Sequence, residues 1–382
     1  LAWRRDGEVC LNVFHLPEGL SLKPVDGGAP IAIAKEGPGL ETPYRIIRFV
    51  AKDVPAMGYR TYVVSQEKYA PIALAGDAAS GVIESPFFRA VMDAKKGCIQ
   101  SLVDKRSGRE LVDQKAPYGF GQYLYERFGS EDLKKWTEAS LYPQYEAHKQ
   151  LFSAYNLPED TAYASGVPKD MNLSVAVSAI DVTAILTGTL SGPGEPQEIT
   201  LRLTLSGETP TADVEVAWRK TPDSWPEAGW ICFPFAVDHP KFRLGRLGAD
   251  LDPVRDMTID YANYHFSWIN TGAAVFDENT GVGAAICPLD SPMISLGEPG
   301  EYRFEKRYTP AEPYLYVNLY NNHWRTNFAA WVGRGERMSS RVRIWAFDSF
   351  NAEAALYTPA MESRVPLAAA RTTARPGALP PV

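Results

Sequence analysis

Apolar residues recur at every second position over short stretches of this chain and are then cut off by Gly, Pro, Asn or Asp. From Glu198 to Ser206, Ile199, Leu201, Leu203 and Leu205 alternate with Thr200, Arg202 and Thr204, which gives a strand one dry face and one wet face. Such runs return roughly every 8 to 15 residues without a fixed repeat. Glu8 to Phe14, Ile31 to Ala34, Arg45 to Ala51 and Tyr59 to Ser65 form a first block, 1–70. A stretch of small residues from Ala70 to Gly81 follows and reads as a boundary. In a second block, 81–360, Phe87 to Asp93 and Cys98 to Asp104 flank Ala94-Lys95-Lys96-Gly97, a hairpin with Gly where positive φ is needed. Further strands are expected at Leu173 to Ile180, Val182 to Leu190, Ala212 to Lys220, Ala273 to Phe276, Gly283 to Cys287, Tyr314 to Leu319 and Arg341 to Phe347. Asp277 to Gly281 reads as another hairpin turn. Helical spacing is confined to Ser130 to Ser140, with Leu133, Trp136 and Thr137 on one face, and to Asn351 to Tyr357. Without βαβ alternation, the pattern predicts an all-β protein, a small β-sandwich followed by a large two-sheet sandwich. The Ala/Pro/Arg-rich end, 361–382, reads as a loose tail.

Composition narrows the partners more than the fold. Of 382 residues, 45% are apolar and 22% charged, and Gly 30 with Pro 30 gives many turns. The net charge of −7 supplies no field that would collect nucleic acid or an anionic membrane, so neither is expected as a partner. No stretch approaches the roughly 18 apolar residues of a membrane span, and no signal-peptide pattern opens the chain. Cys10, Cys98, Cys232 and Cys287 are far apart, and three of them (Cys10, Cys232, Cys287) lie in apolar runs where buried free thiols are expected. The start at Leu1, running directly into Ala2-Trp3-Arg4-Arg5-Asp6-Gly7, reads as a cut chain.

Phosphate-cradling, nucleophile-elbow and metal-ligand motifs are absent, and the five histidines form no H-x-H, H-x-D or H-E-x-x-H pattern. Asp250-Leu251-Asp252 with Asp256 and Asp260 lacks the central Gly of a calcium loop and reads as a solvated loop. One segment has the residue types of a site for hydroxyl-rich ligands: Asn321, Asn322, His323, Trp324, Arg325 and Asn327, at the end of an apolar strand. Asn offers donor and acceptor together, Arg a planar fork and Trp a flat face for a sugar ring. The same residues suit an amide-rich corner tying loops together, with Trp324 in the core. A second cluster, Tyr261 to Trp268, invites the same two readings.

Ordered segments resemble the C-terminal β region of glycoside hydrolase family 38, the α-mannosidase family. Leu1 to Val9 is similar to the strand entering the family's first β-sandwich, and Val54-Pro55-Ala56-Met57-Gly58-Tyr59-Arg60-Thr61-Tyr62 to its "VPxxGYxTY" segment. Phe88 to Lys105 with Gly108 to Val112 resembles the hairpin opening the large sandwich. Asp290-Ser291-Pro292-Met293 through Leu296-Gly297, and Asn321 to Asn327, resemble "DAPLxxxG" and "NNxWxTN". The resemblance implies a large galactose-mutarotase-like supersandwich, and it adds Asp290 to the carbohydrate-binding candidates. It also implies that the nucleophile and the zinc ligands belong to an N-terminal catalytic domain upstream of Leu1. On that reading this chain holds no catalytic residue and no cofactor. Its partners are then that domain and a glycan or mannoside. Two other readings stay open. One is a free-standing carbohydrate-binding module, and the other a mutarotase-like epimerase using His265 or His323 opposite a carboxylate.

Overall fold

A computed structural model describes residues 1–14, 16–17, 19–38, 44–140, 161–192, 197–221, 225–259, 262–322 and 335–372. The first block pairs β1 (Arg5–Phe14), β4 (Tyr44–Val54) and β3 (Ala34–Pro38) into one antiparallel sheet, and β2 (Ser21–Pro24) with β5 (Tyr62–Ser65) into another. Val9, Leu22, Ile31, Ile33, Ile47 and Phe49 fill the space between them. Two expected strands are shorter than their apolar runs. Ile31 makes only a bridge to Leu22, with β3 starting at Ala34, and β5 starts at Tyr62.

The stretch expected as a boundary contributes β6 (Ala75–Asp77), the edge of a five-stranded sheet with β7 (Val82–Glu84), β8 (Phe88–Asp93), β9 (Cys98–Asp104) and β10 (Arg109–Glu110). The β8–β9 turn places Gly97 at φ 66°, and a Cβ there would meet the Pro168 carbonyl oxygen at 2.6 Å. Glycine is therefore required on both conformational and steric grounds.

Two larger sheets follow. A six-stranded sheet runs β12 (Ala164–Gly166), β11 (Gln122–Arg127), β17 (Glu227–Pro234), β24 (Tyr314–Asn321), β23 (Met293–Leu296), β20 (Ser267–Trp268). A nine-stranded sheet runs β13 (Asn172–Val177), β14 (Asp181–Leu190), β15 (Gln197–Ser206), β16 (Ala212–Arg219), β25 (Met338–Phe347), β22 (Gly283–Pro288), β21 (Ala273–Asp277), β18 (Pro240–Arg246), β19 (Ala249–Leu251). Their facing sides form one core. Tyr123, Tyr125, Ile231, Phe233, Leu315 and Val317 meet Leu186, Leu201, Leu203, Val214, Val275, Ile286 and Ile344, and the five-stranded sheet adds Ile83, Phe88, Ile99 and Leu102. At about 1.5–3 kcal/mol for each fully buried large apolar side chain, this interlayer is the main source of stability. The fold is an all-β pair of sandwiches, small then large.

Helix α1 (Ser130–Ser140) forms where the 3.6-residue spacing predicts it and buries Leu133. The second helical segment begins as a wide turn, Ala352–Tyr357, capped by the Asn351 side chain, and runs on as α2 (Thr358–Arg364). It covers the outer face of β21, β22 and β25 through Leu356 and Ala360, with the Trp345 indole donating to the Ala355 carbonyl at 2.8 Å. The loose tail expected from 361 is thus corrected in its first part. Residues 361–364 are helical, and Leu367 and Ala369 pack against the first sandwich.

Among the cysteines, Cys98, Cys232 and Cys287 are buried, while Cys10, expected to be buried, is exposed on β1. Arg243 sits against Asp250 and Asp252, and Arg255 against Asp256, so much of the acidic loop is neutralised locally. Among the described residues no helix is long and apolar enough to cross a membrane.

Candidate functional site

The chemistry gathers on the outer face of the six-stranded sheet. On β11, strand alternation sends Tyr123 and Tyr125 into the interlayer core and Leu124 and Glu126 to the opposite face. Leu124 pairs across with Trp230, and Cys232 with Tyr316, so this face also carries Trp230, Cys232, Tyr314 and Tyr316. Phe128, Tyr302, Phe266 and Leu133 of α1 cover part of it, with Phe266 stacked on Trp230 at 5.5 Å. The rest opens as a cleft of about 360 Å³ lined by Tyr118, Glu126, Tyr163, Tyr314 and Tyr316, with Arg303, Glu298 and Glu312 toward the mouth.

Glu126 is 4% exposed. Its Oε1 accepts from the Tyr163 hydroxyl at 2.8 Å and its Oε2 from the Trp230 indole at 2.7 Å. Burial, aided by the Glu301 charge, pushes its pKa up to about 7, against the pull of those two donors and of Arg303. A carboxyl in this state holds or releases a proton near neutrality. Tyr118 lines the cleft beside Tyr163, and burial raises its pKa, keeping its hydroxyl neutral. Burial likewise keeps the Cys232 thiol protonated, and the Glu126 charge reinforces this.

The wall from Gly297 to Gly300 is shaped by backbone. Gly297 has φ 77°, and a Cβ on Gly300 would strike the His265 carbonyl oxygen at 2.4 Å. Behind it His265 is 2% exposed, with its ring 4.1 Å from that of Tyr308. Among the described residues neither imidazole nitrogen has a hydrogen-bond partner, and Nδ1 lies 3.8 Å from Glu298 Oε1. Burial, with Arg303 adding to it, pulls its pKa down to about 4.

Asn322 lies elsewhere, in a buried polar network at the ends of β17 and β24. Its amide donates to the Trp225 carbonyl and to Glu227 Oε1, both at 3.2 Å. Glu227 also holds Lys220 at 2.6 Å and accepts from Tyr125. The Tyr123 and Tyr320 hydroxyls meet at 2.5 Å, and Tyr123 donates to Gln197 at 2.7 Å. Asn321 donates to Asn318 at 3.1 Å. Asp290 takes both guanidinium arms of Arg341, at 3.0 and 2.8 Å. None of these three lines the Glu126 cleft. His323, Trp324, Arg325 and Asn327 lie outside the described residues, as does Tyr261 of the second cluster. Of that cluster, Phe266 and His265 back the cleft, whereas Tyr264 donates to the Met257 carbonyl at 3.0 Å.

Sequence reasoning missed Glu126, Tyr118, Tyr163 and Arg303. Their segments are scattered along the chain, and the one available signal was a lone Glu inside the aromatic run Gln122-Tyr123-Leu124-Tyr125-Glu126. Among the described residues no three His, Cys, Asp or Glu side chains are grouped to hold a metal.

No family model and no curated protein matches the sequence. Solved structures do match. A protein of glycosyl hydrolase family 38 from Enterococcus faecalis aligns over 100% of this chain and 47% of its own, at TM-score 0.63 and 12% identity. An alpha-mannosidase from Enterococcus faecalis V583 aligns over 100% of this chain and 46% of its own, at TM-score 0.61 and 11% identity. The chain therefore spans about half the length of each and shares their fold over that half.

Proposed function

We propose that the chain is the β-rich portion of an α-mannosidase-like glycoside hydrolase of family 38, a scaffold for a catalytic portion that also contributes carbohydrate contacts. The observation that carries this is coverage: all of this chain follows the two solved chains, yet it accounts for 47% and 46% of them. The ordered segments from Leu1 to Asn327 that resemble the family support it, and one of them ends at Gly297, in the wall of the cleft. On this reading an N-terminal catalytic domain carries the nucleophile and the zinc, and the residues described here bind and position.

Two preparations test it: the product of the native gene, sized by intact mass, and residues 1–382 alone, each assayed on an aryl α-mannoside with Zn²⁺. Turnover is expected from a longer native product and none from the isolated chain. A native product that starts at Leu1, a longer one inactive on every aryl α-mannoside, or turnover by the isolated chain surviving repurification would each overturn the proposal.

A further inference from the structure

We propose that the cleft floored by Glu126 and Tyr316 and walled by Tyr118, Tyr163 and Arg303 is a binding site for a neutral pyranose, gripped through its hydroxyls by the Glu126 carboxyl and through its C–H faces by the tyrosines. The choice of a sugar rests on the function proposed above. The existence of a site rests on geometry alone.

The placement of the carboxyl itself points to a ligand. Around Glu126 the outer face of β11, β17 and β24 is mainly apolar or aromatic, with Leu124, Ala228, Trp230, Tyr314 and Tyr316, and its other buried polar side chains, Gln122 and Asn318, are neutral amides. A carboxyl there is costly unless it is hydrogen-bonded. Its two donors, Tyr163 and Trp230, are both neutral, and among the described residues it forms no salt bridge, Arg303 acting on it only through its charge. Each oxygen spends one acceptor site on the protein and keeps another, and Glu126 still lines the open cleft. A carboxyl needed only for stability would more economically be an apolar residue.

Size and charge narrow the ligand class. A cleft of about 360 Å³ lies at the small end of the range of roughly 300–1,000 Å³ typical of ligand sites, which suits a single ring better than a chain of them. Glu126, Glu298 and Glu312 against Arg303 disfavour a phosphate or another anion. Arg303, exposed at the mouth, opposes an organic cation. A hydroxylated neutral ring satisfies both limits, since each hydroxyl donates to a carboxylate or accepts from a phenol. The tyrosines offer ring surface at right angles, Tyr118 against Tyr316 at 6.4 Å, as walls for the apolar side of a pyranose.

Titration calorimetry on residues 1–382 with methyl α-mannoside, methyl α-galactoside, glucose and choline tests the assignment, with the urea midpoint of each variant as the fold control. At least one pyranoside should bind with Kd below about 1 mM, Glu126→Gln should weaken it at least tenfold, and choline should give no heat. Tyr163→Phe and the surface change Arg303→Ala should each weaken binding severalfold, and they decide the matter if Glu126→Gln does not fold. Absence of heat with every pyranoside at about 10 mM, a folded Glu126→Gln or Tyr163→Phe that binds like the parent, or binding of choline in place of sugar would overturn it. Mannoside hydrolysis by the native gene product is a separate readout, so failure of the cleft and failure of the family reading are told apart.

Discussion

Glu126 and His265 are buried ionisable groups whose pKa values are displaced in opposite directions. Glu126 moves from 4.5 up to about 7 and His265 from 6.5 down to about 4, both chiefly through burial. Between 4.5 and 7 the folded chain keeps a proton on Glu126 that the unfolded chain has lost, so stability falls as pH rises, by about 3 kcal/mol over the window. Between 4 and 6.5 the unfolded chain carries a proton on His265 that the folded chain excludes, so stability rises with pH by a similar amount. Over their common range the two slopes offset each other. Urea unfolding from pH 4.5 to 6.5 should therefore show an upward slope in Glu126→Gln and a downward slope in His265→Gln relative to the parent. Parallel curves for all three proteins would mean that neither group is held in its displaced state. Neither residue advertised itself in the sequence as half of such a pair. His265 stood within an aromatic cluster with two open readings, and Glu126 went unremarked, because desolvation is set by residues far off in the chain.

At the scale of elements, legibility followed how many faces of a strand are buried. β15 was readable because Leu201, Leu203 and Leu205 are buried while Arg202 is exposed. β11 was not, because Gln122 to Glu126 are buried without interruption, leaving no alternation to detect. With it went the floor of the cleft. The helices were read from local capping and spacing, and both segments stand where expected. Of the amide-rich segment, the strand leading into it was legible, but the destination of Asn322 depended on Lys220 and Glu227, one strand and one turn away in space. The pairing of β17 with β24 turns on a register shift between Gly229 and Trp230. A Cβ on Gly229 would lie 2.4 Å from the Tyr320 ring, itself hydrogen-bonded to Tyr123. Gly229→Ala should therefore cost about 1–3 kcal/mol by urea titration and disturb near-ultraviolet tyrosine and tryptophan signals together. A neutral substitution would show that Tyr320 moves aside freely.

Across the whole molecule, the sequence pattern separated two sandwiches, but not how they are tied together. Arg48 of β4 holds Asp181 of β14 at 2.6 Å, Lys52 holds Glu208 at 2.9 Å, and Ala32, Ala34 and Ile180 form a small apolar contact between the blocks. The C-terminal segment closes the circuit. After α2 it returns to the first sandwich, where Arg5 donates to the Val365 carbonyl at 2.5 Å, Trp3 to Glu362 at 2.7 Å, and Leu367 lies over Gly7. Composition alone suggests a loose tail over 361–382, since Ala, Pro and Arg carry no periodicity, yet for its described part, up to 372, a strap needs only one apolar side chain and a few carbonyls at the right places. Gly7 supplies the seat, because a Cβ there would meet Leu367 Cδ1 at 2.9 Å. The first sandwich has a small core and borrows Leu367 and Ala369 to complete it, so its stability depends on residues more than three hundred positions away. Ending the chain after Arg364 should leave the large sandwich's melting temperature nearly unchanged while the first sandwich unfolds earlier, splitting one calorimetric transition into two. Leu367→Ala should reproduce the effect in part, at about 1 kcal/mol, below the range for a fully buried leucine because the side chain is only half-buried. A single transition at the parent temperature in the shortened chain would show that the salt bridges at Arg48 and Lys52 suffice to hold the blocks together, and that the strap is dispensable.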